Sequence, residues 1–242
     1  RRRHTRYIGD WSSDVCSSDH PEHGYSRSQP AIGAAGDFIT APEISQVFGE
    51  LIGLWAAEIW ATIGRPSPVF LVELGPGRGT LMADALRAVA KVAPEFRAAL
   101  RVHLVEINTA LRTQQEAALG PAAPQWHAAL DTLPEGPLLV IANEFFDALP
   151  IRQLVRAAEG WRERCVVLND GRLAFGAGDA VAHDGAAAPG SIVELSPDSE
   201  ERMRALAARI ARHRGAALVV DYGPFQSGPG DTLQAVRRQQ KV

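Results

Sequence analysis

Residues 69–80 (VFLVELGPGRGT) constrain what this chain can fold into more than any other segment. They begin with the continuous apolar run that is typical of a strand buried on both faces. Gly75, Gly77 and Gly79 then allow the backbone to turn sharply and to approach a ligand where a side chain would intrude. Thr80 is placed to cap the helix that follows, whose N-terminal amides would face the bound group. The segment therefore predicts a nucleotide-type ligand at the carboxyl end of a central strand.

The spacing of the glycines favours one class of nucleotide over another. The dinucleotide fingerprint is G-x-G-x-x-G, followed by an acidic residue about twenty positions further on. Here the loop is G-x-G-x-G, Glu73 precedes it, and the next acid at a strand end, Glu106, lies beyond that spacing. Both departures from the dinucleotide fingerprint count against NAD as the ligand. The pattern resembles motif I of class I methyltransferases, which bind S-adenosylmethionine.

That resemblance implies roles for the two acids. Glu73 would face the methionine amino group, and Glu106, which ends the run VHLVE, would accept both ribose hydroxyls. Charge-assisted hydrogen bonds of this kind contribute about 1.5–3 kcal/mol each. Trp126 and His127 follow the region of the third predicted strand, where adenine is commonly contacted; the alternative for His127 is an ordinary surface histidine. The residues assigned to the cofactor are Glu73, Gly75, Pro76, Gly77, Gly79, Glu106, Trp126, His127 and Asn143.

Three further motifs make the resemblance more specific. They are GDFITAPEISQVFGELI at 36–52, VIANEFFDALPIRQ at 140–153 and VVDYG at 219–223. Together with ELGPGRGT they resemble the MidA-like methyltransferases over residues 20–238. That family includes the mitochondrial complex I assembly factor that methylates arginine in a complex I subunit. The resemblance implies a protein methyltransferase whose partner is a protein such as a complex I subunit. It would work in the bacterial cytoplasm or, alternatively, in the mitochondrial matrix.

The residues after the fourth predicted strand are candidates for acceptor chemistry. Class I methyltransferases keep acceptor-binding residues there, and methyl transfer mainly requires the acceptor lone pair to be aligned with the reacting carbon. A guanidinium acceptor stays charged, because its pKa exceeds about 12. Glu144 and Asp147 would hold it and keep positive charge off the attacking nitrogen, while Asn143 positions cofactor or acceptor. The alternative is that both carboxylates cap a helix that follows the strand.

The segment before the glycine loop has two interpretations. Family resemblance places Gly36, Asp37, Phe38 and Thr40 in a lid over cofactor and substrate. Entry into a helix, with Thr40 as its cap, explains Thr40 equally well. The apolar residues that follow recur at helical spacing and predict one long helix, ended by Gly64, that packs on the sheet. They are Ile44, Val47, Phe48, Leu51, Trp55 and Ile59.

Strands and helices alternate from residue 65 onward, which predicts an α/β fold with a doubly wound, mainly parallel sheet. Residues 151–195 instead contain short β-like runs separated by good turn sites, Glu159-Gly160 and Asp170-Gly171. We expect a small antiparallel insertion there, with a mobile loop at 177–190. The predicted divisions are a lid and long helix at 20–64, a cofactor-binding core at 65–150, the insertion at 151–195, and a return to the core at 196–242.

Both ends of the sequence depart from this pattern. Residues 1–19 lack apolar periodicity, resemble translated sequencing-adapter read-through, and are interpreted as non-native. The strand that ends at Asp221 would be the fifth of a seven-stranded sheet, so the chain is expected to be a fragment without the last strands.

Composition excludes several other classes of protein. A net charge of −3 gives no sign of a nucleic-acid surface, which would need a basic stripe. The two cysteines, Cys16 and Cys165, lie outside any C-x-x-C or Cys/His cluster, so we predict no metal. No apolar run approaches 18 residues, so no membrane span is expected.

Two competing functions stay open at this point: a non-catalytic assembly or scaffold protein that keeps a cofactor fold, and an NAD-dependent oxidoreductase.

Overall fold

A computed structural model describes residues 40–223 and 228–233, together with the backbone of 236–237 and 240–241. Gly36, Asp37 and Phe38 of the predicted lid, and residues 1–19, lie outside the described residues. The described chain divides into two units. One contains residues 40–147 and 201–222, and the other contains 148–200 and the described residues from 223 onward.

The elements follow one another along the chain as strands and helices of the kinds predicted. The strands are β1 (Val69–Leu74), β2 (Leu100–Val105), β3 (Gln125–His127), β4 (Leu138–Asn143), β5 (Arg152–Ala157), β6 (Gly160–Asn169), β7 (Arg172–Val181), β8 (Ile192–Leu195), β9 (Gly215–Val220), β10 (Val236–Arg237) and β11 (Gln240–Lys241). The α-helices are α1 (Ala41–Ile44), α2 (Gln46–Thr62), α3 (Thr80–Val92), α4 (Pro94–Ala99), α5 (Thr109–Leu119) and α6 (Pro197–His213). Single 3-10 turns cover Gly120–Ala122 and Leu130–Thr132.

Five strands form a parallel sheet in the order β3-β2-β1-β4-β9. The strand order runs outward in one direction from β1 to β3 and in the other direction through β4 to β9. In open α/β sheets, ligands bind at the carboxyl ends of the strands next to such a reversal. The predicted doubly wound, mainly parallel fold is therefore confirmed, and the reversal lies between β1 and β4, next to the glycine turn.

The predicted antiparallel insertion is also confirmed. Four strands pair in the order β7-β6-β5-β8. One turn falls at the predicted Asp170-Gly171, and the other falls at Ala158-Glu159, one residue before the predicted dipeptide. The prediction of a loop over 177–190 is wrong for its first residues, because β7 continues to Val181 and pairs there with Trp161. The sequence contains many small residues at this point, but the ladder with β6 satisfies their backbone groups.

The long helix predicted after Thr40 is divided in two, which corrects the prediction. Ser45 has an extended backbone (φ −149°, ψ 125°) between α1 and α2, and its hydroxyl oxygen accepts a hydrogen bond from the amide of Val47. Ser45 is thus the cap of the long helix, in the role that serine commonly takes. Thr40 precedes α1 but makes no side-chain capping hydrogen bond.

The buried face of α2 also differs from the prediction. Ile44, Val47 and Leu51 are exposed, whereas Phe48, Trp55 and Ile59 pack at the edge of the core. The face that is buried contains the small residues Gly49, Gly53 and Ala56 with Ile52 and Trp60. A Cβ atom at Gly53 would lie 2.7 Å from the carbonyl oxygen of Ala85, so α2 packs backbone to backbone on α3. Close helix approach, rather than side-chain bulk, decides which face is buried here.

The core lies on both faces of the parallel sheet. Alternate strand residues such as Leu71 and Ile141 pack against α2 and α3, and the residues between them, such as Val72 and Val140, pack on the other face with Leu206 of α6. Both faces are covered, as parallel sheets require. Within the described ranges, no helix has the length and apolar character needed to cross a membrane.

Candidate functional site

The glycine loop connects β1 to α3 through three residues of left-handed backbone. Gly75, Gly77 and Gly79 have φ values of +60°, +53° and +84°, which side-chain-bearing residues rarely adopt. Gly79 itself precedes the helix as its N-cap, so the predicted capping role of Thr80 is wrong. The Thr80 hydroxyl instead donates a hydrogen bond to Oε1 of Glu43 at 2.7 Å.

Glu43 ties α1 to the glycine loop. Its second carboxylate oxygen lies 3.1 Å from Nη1 of Arg78, within the loop itself. Glu43 and Arg78 both lie inside motifs quoted from the sequence, but neither residue was assigned a role there. Through these contacts, the segment that begins at Thr40 meets the glycine loop, and the lid role of Thr40 stays a prediction.

Glu73 is a buried carboxylate at the end of β1. It is 3% exposed, and its Oε2 atom has no hydrogen-bond partner within the described residues. By strand alternation it shares a sheet face with Val69 and Leu71, the face that α2 and α3 cover. Burial raises the pKa of Glu73 to about 8. A buried carboxyl group without a partner has a high free energy in its charged form, and a nearby cation would remove that penalty.

Glu106 follows β2 and is held on both carboxylate oxygens. Oε1 accepts the backbone amide of Asn108 at 2.7 Å, and Oε2 accepts Nε2 of Gln115 at 3.3 Å. Nε of Arg112 donates to the backbone carbonyl of Glu106 at 2.8 Å. Burial raises the pKa of Glu106, and the hydrogen bonds to its carboxylate oppose that rise. The side chain is therefore fixed in place and supported as an acceptor.

Gln115 is the site residue that the sequence reasoning missed. Its side chain is fully buried, and Nε2 also donates to the carbonyl oxygen of Gly77 at 2.7 Å. Its Oε1 accepts the indole N–H of Trp126 at 2.8 Å. A signal was present in the sequence, because Gln115 lies in line with Leu111 and Leu119 on the inward face of α5. A polar residue in an apolar helical stripe requires hydrogen-bond partners when it is buried.

His127 takes part in a chain of hydrogen bonds along the edge of the sheet. Its Nδ1 lies 3.0 Å from the Thr132 hydroxyl, which donates to the carbonyl of Ala129 at 2.8 Å. Thr132 therefore accepts from Nδ1–H of His127, and Nε2 of His127 accepts from Nδ1–H of His103 at 2.9 Å. Burial lowers the pKa of His103 to about 4 and also lowers the pKa of His127. Both rings are neutral at pH 7, and contact of His127 with adenine stays a prediction.

The loop after β4 holds the predicted acceptor residues in a defined shape. Glu144 has a φ of +49°, and its amide donates to the carbonyl of Val220 at 2.8 Å. The backbone amide of Ala41 and the Asn143 side chain lie beside its carboxylate and favour its ionised form, which keeps its pKa lower than burial alone would. Burial and the nearby charge of Asp221 raise the pKa of Glu144. A left-handed backbone at a residue other than glycine is a feature that clusters at functional sites.

The alternative in which Glu144 and Asp147 cap a following helix is wrong. The described chain contains only turns between β4 and β5. The amides at the start of this loop are capped from elsewhere, because Oδ2 of Asp221 accepts the amides of Phe146 at 2.9 Å and Asp147 at 3.3 Å. Asp147 is exposed. Phe145 packs beside Gly75, where an added Cβ would lie 2.9 Å from its ring.

The predicted residues thus converge on one edge of the parallel sheet. Glu73, Glu106 and Asn143 follow or end neighbouring strands, and the glycine loop begins where β1 ends. A sheet of this order with a glycine turn after β1 and buried acids at the ends of β1 and β2 defines a Rossmann-like fold of the class I methyltransferase type.

The chain belongs to the family described as "Putative S-adenosyl-L-methionine-dependent methyltransferase", whose model matches residues 51–242. A mitochondrial protein of Drosophila melanogaster named protein arginine methyltransferase NDUFAF7 homolog is 36% identical to this chain in an alignment that covers 96% of this chain and 60% of that protein. The mitochondrial protein arginine methyltransferase NDUFAF7 of Homo sapiens is 34% identical to this chain in an alignment that covers 89% of this chain and 55% of that protein.

The fold of this chain is also similar to that of a bacterial protein whose structure has been solved. A Burkholderia thailandensis protein crystallised with S-adenosyl-homocysteine has a TM-score of 0.63 and 27% sequence identity to this chain. The match covers 81% of this chain and 56% of that one. The chain therefore spans little more than half the length of the relatives that it matches.

Proposed function

We propose that this chain is part of an S-adenosylmethionine-dependent methyltransferase that methylates arginine on a partner protein. The observation that carries the proposal is the buried Glu73, which lies directly before the left-handed glycine loop and whose Oε2 atom has no partner among the residues that the structure describes. The family membership and the names of the relatives support the same activity.

The residues fit the cofactor on chemical grounds. S-adenosylmethionine, when bound, supplies a methyl group on a positively charged sulfur. Glu73 would pair with the ammonium group of the methionine portion, the cation that its burial calls for. Glu106 would accept the ribose hydroxyls with the lone pairs left free by Asn108 and Gln115. The backbone of Gly75, Pro76 and Gly77 would line the methionine and ribose portions.

The acceptor would be held by the loop after β4. Glu144 would hold the guanidinium of the substrate arginine, with Asp147 as a second carboxylate and Asn143 orienting Glu144 or the cofactor. A guanidinium that gains a methyl group must lose a proton. The raised pKa of Glu144 makes its carboxylate a better proton acceptor than an ordinary glutamate.

We further propose that the partner is a subunit of respiratory complex I or a protein of that kind. The relatives named as mitochondrial favour the matrix as the compartment, and the bacterial source of the solved structure keeps the bacterial cytoplasm as the alternative. Neither compartment changes the chemistry that the site would perform.

Methyl transfer tests this proposal. The full-length protein would be incubated with methyl-labelled cofactor and a lysate of cells that lack it, and labelled peptides would be identified by mass spectrometry. The proposal expects label on arginine in one or a few proteins, and the identity of those proteins tests the complex I assignment. Cofactor binding without any labelled arginine would contradict it and would favour the non-catalytic scaffold. Tight NAD binding without a response to the sulfur ligands would favour the oxidoreductase.

A further inference from the structure

Gln115 connects three parts of the candidate cofactor site that lie far apart in the sequence. Its single amide group contacts the carbonyl of Gly77, the carboxylate of Glu106 and the indole of Trp126. The side chain is fully buried, so water does not replace these contacts. Both amide protons and the amide oxygen are used, which leaves the group satisfied in one orientation only.

The indole of Trp126 decides that orientation. An indole N–H is a donor only, so the atom of Gln115 that faces Trp126 must be the amide oxygen. The NH₂ group then faces Gly77 and Glu106, both of which present acceptors. If the amide were reversed, its oxygen would face the carbonyl oxygen of Gly77 and the carboxylate of Glu106.

The same arrangement acts on the charge state of Glu106. Asn108 and Gln115 each donate to one of its two carboxylate oxygens, and these hydrogen bonds favour the ionised form. Arg112 is the charged group beside Glu106, and its positive charge acts in the same direction. His103 and His127, on the neighbouring strands, are neutral at pH 7.

We propose that Gln115 is a positioning residue for cofactor binding: Trp126 fixes the orientation of its amide, and its NH₂ group holds the Glu106 carboxylate and the Gly77 carbonyl in place. This inference rests on the proposed function, because it concerns the affinity for that cofactor. Trp126 then acts through Gln115, which is a role separate from contact with adenine.

The first test measures S-adenosylhomocysteine affinity by isothermal titration with the full-length protein. Gln115→Met keeps the approximate shape but removes every hydrogen bond, and it should weaken binding by about tenfold or more. Gln114→Met makes the same change at the exposed neighbour on α5 and should leave affinity unchanged. Wild-type protein that does not bind would contradict the proposed function. Binding by wild type with equal affinity in Gln115→Met would overturn the present inference alone.

The pH dependence separates positioning from a general structural role. In Gln115→Met the pKa of Glu106 should rise, so affinity should begin to fall at a higher pH than in wild type as the pH is lowered. Gln115→Glu preserves the shape but cannot donate when ionised, so its affinity should be poor at pH 8 and improve on mild acidification, as a shared proton restores one hydrogen bond. This variant provides the test if Gln115→Met does not fold. A pH profile like that of wild type in both variants would overturn the inference.

A double-mutant cycle tests whether Trp126 fixes the orientation of the Gln115 amide. Trp126→Phe removes the indole N–H and should weaken binding several-fold in the wild-type background but add little to Gln115→Met. If the losses in affinity from Trp126→Phe and Gln115→Met are additive, Trp126 does not act through Gln115. That result would favour direct contact between Trp126 and the cofactor.

Discussion

The carboxylate of Asp221 accepts the backbone amide of Phe146 at 2.9 Å, which joins the end of β9 to the loop after β4. The same oxygen accepts the next amide, that of Asp147. The two residues are distant in sequence but are adjacent because β9 pairs with β4 in parallel. The shape of the proposed acceptor loop therefore depends on the neighbouring strand.

Asp221→Asn should distort this loop and change the acid–base behaviour of Glu144. Removing the charge of Asp221 removes one of the causes that raise the pKa of Glu144, so that pKa should fall. A step that needs ionised Glu144 should then persist to lower pH, although its maximum rate falls because an amide caps the loop less well. The measurement is the pH profile of methyl transfer at saturating cofactor. An unchanged acidic limb would show that Asp221 does not act on Glu144.

Glu144→Gln should lower methyl transfer by at least about 100-fold, the lower range expected for a group that acts in proton transfer. The shape of the side chain is kept, so melting temperature and S-adenosylhomocysteine affinity should change little. Glu135→Gln makes the same change at an exposed glutamate and serves as the matched control. A collapse of the melting temperature with normal activity per folded molecule would mark Glu144 as structural.

Gly53→Ala should destabilise the fold by about 1–3 kcal/mol, the usual cost of overpacking a close contact. Its new Cβ would lie 2.7 Å from the carbonyl oxygen of Ala85 and would force α2 away from α3. Gly120→Ala is the matched control, because its Cβ would meet nothing within 4 Å. Urea unfolding of both variants measures the difference. Equal stabilities would contradict the backbone-to-backbone packing of the two helices.

The sequence predicted well wherever a local pattern had a local cause. The glycine loop and the buried strands both follow from neighbouring residues. The turns of the antiparallel insertion are likewise determined by the turn-forming residues at those positions. These features could be predicted because their physical cause lies within a few positions of the residue concerned.

Two of the failures, the buried face of α2 and the omission of Gln115, have a common physical origin in contacts between distant segments. The buried face of α2 was misassigned because the close approach of α3 selects Gly49 and Gly53 over the bulkier stripe. Gln115 was missed because its partners come from three different elements. Hydrophobic periodicity identifies an amphipathic helix, but the partner surface decides which residues are buried.

We propose that Glu73 and the glycine loop bind the amino-acid portion of S-adenosylmethionine. Burial raises the pKa of Glu73 to about 8, so the carboxyl group is mostly protonated at pH 7 before a ligand binds. An arriving ammonium group would favour the carboxylate and lower that pKa, and binding should then release roughly one proton.

Isothermal titration of the full-length protein with S-adenosylhomocysteine at pH 7, in buffers of different ionisation enthalpy, measures this proton directly. We expect tight binding with release of roughly one proton for the wild-type protein, and weak binding without proton release for Glu73→Gln. Binding without proton release, or equal binding by Glu73→Gln, would contradict it.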